Sequence, residues 1–110
     1  MAYDEDLADR IRRLLGDRPG LSEKKMFGGL AFLVGGNMAV AARGGGGILV
    51  RVDPDESEQL AATTTAYPME MRGRPMTGWL RVDAAAVVDD APLAEWVEGG
   101  AAYAASLPPK

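Results

Sequence analysis

The stretch Leu30-Ala31-Phe32-Leu33-Val34-Gly35-Gly36-Asn37-Met38-Ala39-Val40-Ala41-Ala42 decides the fold. Two apolar runs flank a Gly-Gly-Asn break, and those break residues supply the positive-φ positions that a tight hairpin needs. Outward from it, Met26-Phe27 precedes Gly28-Gly29, and Ile48 to Val52 follows the Gly44 to Gly47 run. Residues 24–52 therefore read as a meander of three or four short antiparallel strands. Alternation puts Leu30, Phe32 and Val34 on one face, continued by Met38, Val40 and Ala42 and then by Ile48, Val50 and Val52. These residues are assigned to the core.

Helices are expected on both sides of this meander. Leu7, Ala8, Ile11, Leu14 and Leu15 form one apolar stripe over Asp4 to Leu15, with acids in the first turn, arginines in the last and Gly16 as the stop. Asp53-Pro54-Asp55-Glu56 reads as a helix start, with Asp53 as N-cap, Pro54 at the first helical position and Glu56 spaced as in a capping box. Three carboxylates there serve the helix end, and no metal site is expected. Ser57, Leu60, Ala61 and Thr64 make a short amphipathic face of this helix, which ends before Tyr67-Pro68. Met69 to Pro75 is left open between a loop and a short edge strand. Trp79-Leu80-Arg81-Val82 reads as a strand with Leu80 and Val82 inward, and Ala84 to Val88 as one helical turn. A last helix after Asp90 carries Leu93, Trp96, Val97, Ala101, Ala104 and Leu107. Its Gly99-Gly100 pair implies either a kink or the close approach of another backbone. The expectation is a two-layer α+β fold, order roughly α-β-β-β-β-α-β-α, with a mainly antiparallel sheet and the helices on one face. Phe27 and Phe32 should share its core with Leu14, Val50, Leu80 and Trp96.

The chain has 110 residues, 47% of them hydrophobic, and a formal net charge of −4. That length supports one core and one domain over residues 1–110, burying roughly 65% of the extended surface. The sequence has neither cysteine nor histidine. Thiol nucleophiles, disulfides, imidazole bases, Ser-His-Asp triads and Cys/His zinc sites are excluded together. Gly44 to Gly47 precedes a strand and lacks the following lysine of a phosphate loop, so it reads as a hairpin loop. Ser22, Ser57 and Ser106 sit in no nucleophile elbow. Neither a catalytic residue nor a cofactor is assigned, and the chain is read as a non-enzyme. The acidic start Met1 to Asp6 and the lack of a long apolar run point to a cytoplasmic protein without membrane partners. Lys24, Lys25, Arg72, Arg74 and Arg81 lie near Tyr67, Trp79, Met69, Met71 and Met76, a mixture that also suits nucleic acid, although the acidic balance disfavours it.

Several motifs together resemble a known family. Met26-Phe27-Gly28-Gly29-Leu30-Ala31-Phe32, Gly36-Asn37-Met38, Leu49-Val50-Arg51-Val52, Arg74-Pro75-Met76-Thr77-Gly78-Trp79 and the ending Ser106-Leu107-Pro108-Pro109-Lys110 are similar to the N-terminal domain of the TfoX/Sxy competence regulators. The resemblance implies an α+β domain with an antiparallel sheet, transcriptional regulation of competence exercised with other regulators, and no transferable catalytic motif. Full-length members carry a second, helical domain, which is not expected within these 110 residues, and the Gly44 to Gly47 loop is richer in glycine than is usual.

Taken together, these features lead to an expectation of a regulatory or protein-interaction domain, with a nucleic-acid-binding module as the alternative and a small enzyme third. Three helices cover only one face of the sheet, so alternation leaves Ala31, Leu33, Leu49, Arg51, Trp79 and Arg81 on the other. That face, above all Leu33, Leu49, Arg51, Trp79 and Arg81, is the candidate contact surface for a regulatory protein or a second copy.

Overall fold

A computed structural model describes residues 3–26 and 28–109. Phe27, Lys110 and the Met71 side chain lie outside the described set, and with Phe27 goes its expected place in the core. The elements are α1 (Glu5–Leu15), β1 (Leu21–Met26), β2 (Gly29–Val34), β3 (Asn37–Ala42), β4 (Ile48–Arg51), α2 (Pro54–Thr63), β5 (Tyr67–Met71), β6 (Arg74–Val82), a 3-10 turn (Ala84–Val87) and α3 (Asp90–Ser106). The six strands form one antiparallel sheet in the order β1-β2-β3-β4-β6-β5. This is the expected α+β fold with one strand added, since the segment left open between loop and strand pairs as β5. β6 begins at Arg74, and the turn between them uses Arg72 (φ 56°) and Gly73 (φ 77°), two consecutive left-handed residues that suit a tight hairpin. Pro68 lies on the outermost strand, where a missing N–H costs no ladder bond. β1 reaches back to Leu21 through Ser22, Glu23, Lys24 and Lys25, a polar edge strand that apolar periodicity does not reveal.

Local chemistry closes the helices as read. The Asp4 carboxylate accepts from the Leu7 N–H at 3.2 Å, and Gly16 (φ 60°) ends α1. Asp53 caps α2 by accepting from the Asp55 N–H at 2.9 Å, with Pro54 next to it. Glu56 returns no side-chain bond among the described residues, so the capping box is half made. Thr64 is exposed beyond the helix end, whereas Ser57 is buried.

The main core lies between the sheet and the helices. Phe32, Ile11, Ile48, Leu80, Leu93, Val40, Val50, Val82 and Val97 are fully buried, and Leu14 and Trp96 pack against them half-buried. α3 runs unbroken through Gly99-Gly100, so close approach prevails over kinking. A Cβ on Gly100 would stand 2.5 Å from the Ala39 carbonyl oxygen and 3.2 Å from Val50 Cγ1, while Gly99 faces open space. Across the layers Arg12 holds Glu23 of β1 through two bonds of 2.7 and 2.8 Å and lies 5.9 Å from the Phe32 ring centroid. That bidentate bond holds the Glu23 carboxyl below its usual range.

One core assignment is corrected. Met38 belongs to the opposite face, because the β2–β3 register shifts between Phe32 and Leu33, pairing Phe32 with Val40 but Leu33 with Met38. The bulge leaves Ala39 over on β3, so Ala39 and Val40 both join the helix-side core and strict alternation fails there.

Candidate interaction face

The face without helices is not left wet. Ala31, Met38, Ala41 and Leu49 are buried on it, with Met26, Leu33, Met69 and Trp79 packed against them half-buried. No helix belongs to this cluster, so the sheet itself supplies the cover. Met26 of β1 and Met69 of β5 come from opposite edges, which in a flat sheet would lie about 24 Å apart. They nevertheless line the same two cavities, of about 340 and 430 Å³, so the sheet is curled into a trough.

The two cavities share Met26, Met38, Leu49 and Met69 as a floor. Arg43, Arg81 and the backbone of Gly44 and Gly45 line the smaller one; Lys24, Arg51, Leu33, Met76 and Trp79 line the larger. The structure therefore places the five candidate residues, Leu33, Leu49, Arg51, Trp79 and Arg81, on one surface. It adds the four methionines, Lys24 and Arg43, which single-strand alternation missed because they arrive through a bulge, an edge strand and a hairpin end. Methionine and lysine in alternate positions of Lys24-Lys25-Met26 were the available signal.

The cations here are held over aromatic rings. The Arg51 guanidinium lies 5.1 Å from the Trp79 centroid and 5.8 Å from that of Tyr103, and Arg81 lies 5.7 Å from that of Tyr67. Tyr67 donates its hydroxyl to Asp83 at 2.8 Å, and this bond raises the phenol above its ordinary pKa. Arg81 Nε is buried without a hydrogen-bond partner among the described residues. Among the described residues neither cavity is lined by an aspartate or glutamate.

Other residues of the motifs quoted above hold the frame. Asn37 is buried and donates to the Pro108 carbonyl at 3.0 Å, tying the β2–β3 turn to the chain end. Gly78 (φ 91°) donates its N–H to Ser57 Oγ at 3.2 Å and accepts from the Val52 N–H at 2.8 Å, docking α2 on the sheet. Arg74 and Pro75 are exposed on β6, and Gly28 (φ 75°) turns β1 into β2. Among the described residues no helix is long and apolar enough to cross a membrane. A family model described as the TfoX N-terminal domain matches residues 13–104. No curated protein matches the chain.

Proposed function

From the premise that the chain belongs to the TfoX N-terminal domain family, we propose that it is a non-enzymatic regulatory domain of the competence-regulator type. It works in the cytoplasm by contact with a protein through the trough around Leu33, Leu49, Arg51, Trp79 and Arg81. The observation that supports this is the second apolar cluster, a methionine-rich floor that no helix covers. Contiguous apolar surface of this kind marks contact sites more often than idle surface, and tryptophan and arginine are enriched where contacts carry most energy. A sequence without histidine or cysteine accords with contact rather than catalysis.

The test compares wild type with a Trp79→Ala, Arg81→Glu double variant whose circular dichroism and melting show it folded. Wild type is expected to capture a regulatory protein, or to sediment as a dimer, and the variant to lose that behaviour. Equal sedimentation and equal capture by the two proteins would refute contact through this face.

A further inference from the structure

We propose that the trough clasps an acidic amphipathic helix of a partner protein, its apolar stripe on the methionine floor and its carboxylates against the cations of both cavities. This rests on the contact reading above and adds the chemistry of the partner. Charge complementarity is the first argument. In a chain of net charge −4, the residues lining the two cavities include Lys24, Arg43, Arg51 and Arg81 and no carboxylate. On the helical side, by contrast, Arg10, Arg12 and Arg18 pair with Asp90, Asp9, Glu23 and Glu98. Among the described residues none of the four trough cations is in an ion pair. Arg81 moreover keeps a buried Nε–H without an acceptor. The rest of its guanidinium group belongs to a residue that lines the cavity, where an incoming carboxylate would supply the charged partner that the described residues do not.

The arrangement of the cations selects the occupant. Arg43 and Arg81 line one cavity, and Lys24 and Arg51 the other. One small anionic headgroup would neutralise one pair and leave the second facing an apolar ligand. A helix about 10 Å across, with acids on both flanks of an apolar stripe, meets both pairs and the floor together. Methionine side chains adapt to such a surface without a fixed complementary shape. A second copy is a poor occupant: face to face it would set four cations against four, and its own helices have their apolar stripes, Leu7-Ile11-Leu15 and Leu93-Val97, already buried. Single-stranded nucleic acid would find cations, but a floor of methionine and leucine instead of a row of stacking rings.

The probe is a synthetic helix with leucines spaced i, i+3, i+4 and i+7 and glutamates on both flanks. Its controls are a scrambled peptide of the same composition, the same helix with lysine for glutamate, and an oligothymidylate. Labelled methionine methyl groups report the site, and fluorescence anisotropy reports affinity. The acidic helix is expected to shift the methyl resonances of Met26, Met38, Met69 and Met76. It should bind about tenfold or more tighter than every control, weaken as salt rises, and lose about tenfold or more against an Arg51→Glu, Arg81→Glu variant. The methyl shifts are read on wild type, so they stand even where that variant fails to fold. Equal binding of the acidic and scrambled peptides, or unmoved methyl groups, overturns the proposal. If the lysine helix, the oligonucleotide or a second copy occupies these methionines instead, the acidic partner is wrong while contact through the face survives.

Discussion

The two faces of this sheet bury similar side chains by different means. On one, Phe32, Val50 and Leu80 are sealed by α1, α2 and α3, and Arg10 and Arg12 above them are paired with Asp90 of α3 and Glu23 of β1. On the other, Ala31 and Leu49 are buried by curvature and by half-buried Met26, Leu33, Met69 and Trp79, under cations that make no ion pair among the described residues. A helix layer fills space with fixed shapes. A curled sheet shields its floor yet keeps an opening above it. Asn37 and Gly78 hold the frame, whereas the trough is built of adaptable side chains.

Substitutions on the two faces should separate these roles. Phe32→Ala is expected to cost about 3–5 kcal/mol, because a fully buried ring leaves a cavity that the helices cannot close. Leu49→Ala, on the open side, should cost only ~2 kcal/mol, the low end for a buried leucine, since neighbouring methionines can settle into the space. Urea midpoints measure both; equal losses would mean that the trough is as rigidly packed as the helical core.

The adjacent glycines of α3 give a sharper contrast, with opposite signs expected one residue apart. Gly100→Ala should destabilise by about 1–3 kcal/mol, since its Cβ meets the Ala39 backbone where β3 bulges toward the helix. Gly99→Ala meets nothing and should stabilise by about 0.5–1 kcal/mol through helix propensity. Thermal melts of the two variants decide it, and a shared sign would mean that α3 sits farther from β3 than described.

Smaller effects test the edges of the helical layer. Asp53→Ala removes the acceptor for the Asp55 N–H and should cost about 1 kcal/mol without altering peptide binding in the trough. Glu23→Gln, which breaks the clasp of Arg12 on β1, should cost ~0.2–1 kcal/mol at neutral pH, because both side chains are substantially solvated. The Glu23 pKa is depressed in the fold, so this contribution is present above the ordinary glutamate pKa and disappears as pH falls through the lowered value. Stability curves of wild type and variant should therefore converge in acid; a constant gap would assign the loss to packing.

The sequence by itself determined the elements whose causes are local. Apolar spacing at Leu7, Ile11 and Leu15, the Asp53-Pro54 start and the glycines after Val34 each act over a few residues, and each element appears where those residues place it. Four of the five residues proposed for contact share a face because alternation holds along β4 and across its pairing with β6, where Leu49 meets Arg81 and Arg51 meets Trp79; Leu33 of β2 joins them opposite Met38. What only the tertiary structure decided depends on pairing between distant strands. The polar run Ser22 to Lys25 becomes a strand because β2 offers it a ladder, and Met38 changes faces because one residue too many stands opposite Phe32. Placing β6 between β4 and β5 is likewise a choice of partner, not a property of either segment. The trough follows from all three. Curvature brings Met26 and Met69 together from opposite edges and gathers four cations that lie far apart in the chain, and neither periodicity nor spacing along a single strand encodes that.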